Sequence, residues 1–489
     1  MKLAFSSRAV KRSLQAHSIM GLAVGALLYV VCLTGTLTVF YPHFERWEQP
    51  RIAERLDFSP TQLRDAADAV LARLATPPET LYLVLPTAFM PRLHIHAGGS
   101  EEEWFVTPEG ELGAAVAAPW SQFVQSLHVR LQLPETWGVI LVGIAGVLLC
   151  VLLLSGVLAH PSLVRDAFRW RSGASGRLFQ VDLHNRLGVW GLPFYLMIAL
   201  TGAFMGLAAV FYSGYAAVLY QGDRQAVYDL VYGADIKADQ PLDVPLDLGR
   251  ALKQLQAREP AAEPIYIALQ HMRTPQQHVE IAAILPGRLV YSEIYRFTLD
   301  GEYINHQALS DGPVGRQLAY SVYRLHFGQF GGWPVRLGYG LLGLGLTVLC
   351  VSGINLWLMK RPDRTWVNDI WMAWVWGWPL GLVVAALASL YGHSPWIGFL
   401  LALSMALGMS LFLCDEARVK RLLIGSLGAM ILTVLLTHLL RFGLVLDNSA
   451  SLAVNAALFV AAGLAGFWVV HSTPQHLPNV TKSSAERHP

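Results

Sequence analysis

Eight apolar runs, at about 18–41, 137–159, 187–213, 335–359, 369–391, 395–414, 422–440 and 451–471, set the rhythm of the chain. Each is close to the about 20 residues that a helix needs to cross a hydrocarbon layer of about 30 Å. Two long segments between runs, 42–126 and 214–318, are too polar for lipid. Both read as an amphipathic helix followed by strands. In the first, Ser59 and Pro60 supply an N-cap and N1 proline for a helix through about Leu74, ahead of the alternating runs LYLVLP, RLHIHA and EWFVTPEGEL. In the second, a helix near 246–257 precedes IYIALQ, HVEIAAIL and a run ending YRFTLDGEYIN. The pattern predicts a polytopic α-helical membrane protein with about eight spans and two small α+β domains. The expected divisions are 1–41 (tail and first span), 42–126 (first α+β domain), 127–213 (second span, loop and third span), 214–318 (second α+β domain), 319–361 (fourth span) and 362–489 (a C-terminal four-helix membrane region).

Composition agrees, since 54% of the 489 residues are hydrophobic and only 14% charged. A net charge of +2 gives no reason to expect a nucleic-acid partner. The basic residues inform by position instead. Arg165, Arg169, Arg171 and Arg177 follow the second run, Lys360, Arg361 and Arg364 the fourth, and Arg418, Lys420 and Arg421 the sixth. The positive-inside rule makes these loops and both termini cytoplasmic, with the two long polar segments periplasmic and the chain in the inner membrane. Arg8, Lys11 and Arg12 before the first run resemble a signal peptide, but the run is long and lacks a small-residue cleavage site, so it reads as an uncleaved helix. Cys32, Cys150, Cys350 and Cys414 show no CxxC spacing and read as packing residues. Without CxxCH, any haem is held non-covalently.

The chain also repeats itself. His17 stands 17 residues before Thr34-Gly35, and His184 stands 17 before Thr201-Gly202. His128 precedes Ser155-Gly156 by 27 residues, and His326 precedes Ser352-Gly353 by 26. The first two spans with their polar domain thus recur as the third and fourth with theirs, which implies a pseudo-twofold axis along the membrane normal. That axis would set His17 across from His184 at the cytoplasmic face and His128 across from His326 at the outer face. Two imidazoles on either side of an iron are what a b-type haem needs, so the sequence suggests two haems in two layers. An interfacial histidine that only reaches for water is the ordinary alternative for any one of the four, and zinc is a further one, although neither cysteine nor carboxylate clusters with them.

His160, in SGVLAHP, has no counterpart in SGINLWL of the second copy and competes with His17 and His184 for the inner site. Arg12, Arg165 and Arg186 are candidate partners of haem propionates there, although membrane anchoring explains them equally well. Gly21, Gly25, Gly35, Gly188, Gly191 and Gly202 suit either a flat macrocycle or plain helix packing. The segments LPETWG after His128 and FGGWP after His326 predict breaks that set short histidine-bearing helices over the membrane core. His94 and His96 share one strand face as a weaker metal candidate, and the tryptophans at 366–378 read as an interfacial belt.

These motifs, HSIMGL, SLHVRL, SGVLAHP, DLHNRLGVWGLPF and RLHFGQFGG with their TG and SG steps, resemble the PepSY-associated transmembrane-helix family of bacterial inner-membrane proteins over about 11–361. The resemblance implies a ferric-siderophore reductase, with haem ligation by His17, His184, His128 and His326 and two PepSY-like periplasmic domains. Lacking GxGxxG and a flavin domain, such a protein would take electrons from quinol or a separate cytoplasmic flavin reductase. It would pass them to a ferric siderophore, reducing Fe(III) and releasing Fe(II). The alternatives are a conduit to another periplasmic acceptor and a non-enzymatic PepSY-type protein that binds peptides or regulates a protease.

Overall fold

The computed structural model describes residues 6–74, 76, 78–100, 102–159, 176–234, 236, 241–361, 363–413 and 415–472. It divides into two compact units, 1–362 with 444–454, and 363–443 with 455–489. The first contains helices α1 (Ser7–Thr38), α2 (Tyr41–Glu48) and α3 (Pro60–Arg73), then strands β1 (Thr80–Val84), β2 (His94–Ala97), β3 (Glu103–Val106) and β4 (Leu112–Ala115). Helices α4 (Pro119–Arg130), α5 (Glu135–Ala159), α6 (Gly176–Trp190), α7 (Leu192–Leu219), α8 (Arg224–Tyr232) and α9 (Leu248–Arg258) come next. Strands β5 (Glu263–Gln270), β6 (His278–Ile284), β7 (Glu293–Phe297) and β8 (Tyr303–His306) lead into α10 (Val314–Phe327) and α11 (Gly332–Leu358). The second unit holds α12 (Trp366–Leu390), α13 (Pro395–Leu413), α14 (Glu416–Phe442) and most of α15 (Ser449–His471). Among the described residues, eight helices are long and apolar enough to cross a membrane: α1, α5, α7 and α11 to α15.

The polar segments do not form two separate sheets. Their strands join in one antiparallel sheet of order β4-β3-β2-β1-β5-β6-β7-β8, closed in the middle by β1 against β5, with Leu83 opposite Ile267. Each half is a four-stranded meander, and left alone each would expose the backbone edge of its first strand; pairing the two edges removes both. Helices α3 and α9 pack on the same face over a common core of Leu63, Val70, Leu83, Leu255, Ile267 and Phe297. Local signals start those helices. The Ser59 hydroxyl accepts from the Gln62 N–H while the Gln62 side chain accepts from the Ser59 N–H, and Asp247 caps α9 by accepting from the Arg250 N–H. Strands β6 and β7 are buried on both faces because Tyr320 of α10 packs under Ile265, Ala282 and Ile294, which erases the expected alternation of inside and outside positions.

Below the sheet the repeat is visible in the helices. Helix α1 packs on α5 and α11, and the equivalent α7 packs on α5, with α6 against α11. The first span starts earlier than its apolar run, because the helix formers of SRAVKRSLQA carry it back to a Ser6 cap. His17 therefore lies inside α1 rather than at its opening. In the second copy the same stretch is split: Gly191, with Pro193 two residues on, separates α6, which bears His184, from the spanning α7. The breaks expected after His128 and His326 are present, with Leu131 and Gln132 at positive φ after α4 and Gly328 left-handed after α10. Gly138 lets α5 fold back onto α4, since a Cβ there would lie 2.3 Å from the Arg130 carbonyl oxygen. Asn448, ahead of α15, donates to the Arg46 and Pro50 carbonyls and ties that segment to the first unit.

In the second unit, α12 packs on α13 and α14 around Leu380, Ala402, Ala406 and Leu423. The tryptophans at 366–378 are not all an interfacial belt. Trp366 is exposed, but Trp371 and Trp378 are buried, Trp378 against Phe399 at 4.9 Å.

A buried ion pair holds the centre of the second meander. Arg296 donates to Glu280 at 2.8 Å and Gln270 donates to it at 3.0 Å. Burial alone would push this carboxyl up, but His278, Arg296 and Gln270 more than offset it and hold it down to about 2. A carboxyl depressed in the fold adds stability above its unfolded value of about 4.3, and that stability is lost as pH falls through the folded value. Glu280→Gln is expected to lower stability at neutral pH by about 3 kcal/mol, since Arg296 is left buried without its counter-charge. Thermal unfolding from pH 7 to 2 checks this, with wild type and variant converging at the acidic end.

Candidate functional site

Two histidine pairs occupy the first unit, one on the sheet side of the bundle and one at the far end. In the far pair, His17 of α1 reaches α5, with Nδ1 3.0 Å from the Leu152 carbonyl oxygen and 3.2 Å from Ser155 Oγ. His184 of α6 reaches α11, with Nδ1 2.9 Å from Ser352 Oγ. Both serine hydroxyls spend their protons on their own helices, on Leu152 and Leu349. Their lone pairs therefore accept from Nδ1–H, which fixes the tautomer and leaves the Nε2 lone pair for a metal.

The sheet-side pair repeats this with the helices exchanged. His128 of α4 donates through Nδ1 to the Val31 carbonyl of α1 at 3.0 Å. His326 of α10 donates through Nδ1 to Thr201 Oγ1 of α7 at 2.9 Å, and Thr201 gives its own proton to the Met197 carbonyl. Tyr339 of α11 donates to the Leu325 carbonyl and holds the end of α10 in place.

The glycine of each TG or SG step makes room for the ring that its neighbour holds. A Cβ on Gly35 would lie 2.6 Å from His128 Cε1, and Cβ atoms on Gly156, Gly202 and Gly353 would lie 3.2 to 3.3 Å from Cε1 of His17, His326 and His184. Gly21 and Gly188, equivalent in the repeat, do something else. A Cβ on either would meet only Leu152 or Leu349 at 3.8 Å, an ordinary contact, so helix packing does not require glycine there. Glycine in a helix costs about 1 kcal/mol relative to alanine, and at these two positions what it leaves is space. Both line a mostly apolar cavity of about 280 Å³ that also takes in His17, His184, Gly25 and Leu28.

Within each pair the ring centres lie 6.2 Å apart. Two imidazoles that share a metal through Nε2 have centres about 6 Å apart, twice a metal–nitrogen bond of about 2 Å plus twice the distance from nitrogen to ring centre. Among the described residues no cluster of three or more histidine, cysteine or carboxylate groups could hold an ion unaided. A metal gripped by two imidazoles then needs its remaining ligands from a cofactor, and a haem macrocycle supplies four in a plane. The two pairs, the open glycines and the apolar cavity fit such a group.

The other candidates separate. Arg12 is exposed on α1 and Arg186 is buried in α6, while His160 and Arg165 lie outside the described residues. Of the remaining glycines, Gly191 faces the Tyr195 ring. His94 and His96 do share a face, but both turn to Glu103, at 3.2 and 3.6 Å. Sequence reasoning missed Arg336 and His43, both buried near the sheet-side end of the bundle. The available signal was a charged residue inside an otherwise apolar run, the WPVRLGYG of the fourth span.

Comparison with known proteins matches residues 14–360 to the PepSY-associated TM region. An uncharacterized protein of Pseudomonas aeruginosa is 34% identical over 328 residues, which cover 62% of this chain and 82% of the relative.

The glycine contacts give a direct test. Gly35→Ala forces the His128 ring to move and is expected to destabilise the protein by about 1–3 kcal/mol. Gly338→Ala in α11, with nothing within 4 Å of the added Cβ, should be neutral or stabilising. Melting temperatures of the two variants in one detergent check the contrast.

Proposed function

The chain belongs to the family of the PepSY-associated TM region, and on that premise we propose that it is a di-haem electron conduit that reduces a ferric chelate, a ferric siderophore in the first instance. The observation that carries this reading is the doubled histidine pair: ring centres 6.2 Å apart, with hydrogen bonds at Nδ1 that leave Nε2 for iron. A b-type haem at each pair supplies reversible one-electron carriage.

What the chain itself contributes is position. His17 and Gly35, the residue that abuts His128, are 18 residues apart on α1. That is about 27 Å of helix, close to the about 30 Å of a hydrocarbon core, so the two layers stand near opposite faces. Helix oxygens on Nδ1 orient each ring and raise the basicity of Nε2. Leu28, Leu149, Leu152, Leu346 and Leu349 form the packed core between the layers and keep water out. The sheet stands over the His128 and His326 end, where a polar chelate can reach it.

The positive-inside reading places the protein in the bacterial inner membrane, with Arg8, Lys11, Arg12, Lys360 and Arg361 at the cytoplasmic face and the sheet in the periplasm. The donor is quinol or a cytoplasmic flavin reductase. The acceptor takes one electron per iron, Fe(III) becoming Fe(II), and the hard oxygen ligands of the chelate loosen their hold. Each quinol oxidised gives two electrons, enough for two ferric ions, and releases two protons.

Purified protein is expected to show b-type absorption bands on reduction and two extractable haems per chain. His128→Ala or His326→Ala should remove one haem and spare the other. Loss of both, or of neither, would show that the layers are not separate sites, and a wild type with no extractable haem would end the reading.

A further inference from the structure

Arg336 lies near the start of α11 and is 5% exposed, yet among the described residues nothing accepts a hydrogen bond from its Nε or Nη1. A buried guanidinium without an acceptor forfeits solvation that nothing returns, a cost of several kcal/mol. Its Cζ lies over the Phe89 ring, 3.6 Å from the ring centre. Beside it His43 of α2 is 4% exposed, and its Nδ1 is likewise without a partner. Burial, then Arg336 and Arg46, hold His43 down to about 4, so it is neutral at physiological pH and Arg336 supplies the charge. Trp333 packs on His43 at 4.7 Å and on Phe89 at 5.9 Å and is itself 47% exposed, so this aromatic cluster reaches the surface.

Arg336 stands on the sheet side of the His128 contact. Gly343 of α11 meets Thr36 of α1, the residue after the glycine that abuts His128. Arg336 is seven residues further toward the sheet, about 10 Å of helix rise. Scaffold need does not explain the two polar residues. In the register that equates Thr34 with Thr201 and Ser155 with Ser352, His43 corresponds to Val210 and Arg336 to Val139. At the corresponding positions the second copy has apolar side chains.

We propose that Arg336 and His43 form a carboxylate-binding site over the His128 and His326 pair, occupied by a propionate of the haem held there or by a carboxylate arm of the incoming ferric chelate. The unpartnered Nε and Nη1 of the guanidinium bring N–H donors and one positive charge, and a neutral imidazole with its proton on Nδ1 adds another donor, the complement of a carboxylate. The proposal rests on the electron-transfer reading for the identity of the ligand, not for the existence of the site.

The test uses full-length wild type, Arg336→Gln, Arg336→Lys and His43→Phe, with haem content measured first. Where wild type carries two haems, potentiometric titration and the reduction of ferric citrate and of a ferric hydroxamate chelate follow. A propionate ligand predicts that Arg336→Gln keeps two haems but shifts one toward ferric by at least tenfold, 59 mV for one electron, with Arg336→Lys recovering part of it. A chelate carboxylate predicts unmoved potentials and a KM for ferric citrate raised at least tenfold, with the hydroxamate chelate unaffected. His43→Phe should move whichever quantity Arg336→Gln moves, by less. If neither moves, the site is wrong while the two haems stand. If wild type carries no haem, the electron-transfer reading falls and calorimetric titration with citrate decides the site alone. Binding by wild type that weakens at least tenfold in Arg336→Gln supports it, and no binding overturns it.

Discussion

Every histidine of the two pairs is held by a neighbouring helix through an oxygen that binds Nδ1 and a glycine that makes room for Cε1; for three of them the two are adjacent residues, and for His128 they are the Val31 carbonyl and Gly35. Helix α5 holds His17 this way, α11 holds His184, α1 holds His128 and α7 holds His326. An imidazole at membrane depth without such a bond would cost about 1–3 kcal/mol, so each grip also fixes the height of one helix against another. A slip of one residue would replace the glycine by a side chain and take the acceptor away. The order of the first unit below the sheet depends on these four grips, and so does the alignment of each ring with its partner.

The sheet imposes the same twofold relation from above. Pairing β1 with β5 antiparallel requires the two meanders to face each other about an axis between those strands. The seven helices that carry or hold the histidines are related in the same way. The halves are thus joined twice, by backbone hydrogen bonds in the polar layer and by side-chain grips in the apolar one. The shared core under α3 and α9 makes the upper joint hard to open, because parting β1 from β5 would expose Leu83 and Ile267 together.

Much of this is legible in the sequence because it rests on short-range or periodic signals. The spans follow from apolar runs, the cap of α3 from Ser59, Pro60 and Gln62, and the pairing of His17 with His184 from equal spacing to a TG step. The spacing to TG and SG carries more than symmetry, since the glycine of each step abuts a histidine on a different helix, and no local pattern says which. Equally hidden is the merging of the two sheets, because a strand edge that pairs with a distant copy looks like any other edge. The α1 stretch that holds His17 and the α6 stretch that holds His184 read alike around their histidines, yet one is continuous and the other broken at Gly191. Periodicity alone does not see a chain turn at a glycine followed by Leu192 and Pro193.

The departures from the repeat matter more to a directed function than the repeat does. A bundle with true twofold symmetry about the membrane normal treats both sides of each histidine pair alike, and offers neither a preferred edge for a cofactor nor a docking corner for an acceptor. This chain breaks the symmetry where a choice is needed. The break at Gly191 gives one wall of the far cavity its own helix, α6, where the other wall is part of the long α1. On the sheet side, Arg336 and His43 stand where the register gives the copy Val139 and Val210. A buried cation costs stability, and the corresponding position of the repeat does without one. A cation buried at one of two corresponding positions is then a specialisation of that corner, and the ligand it favours is an anion near the sheet-side histidine pair.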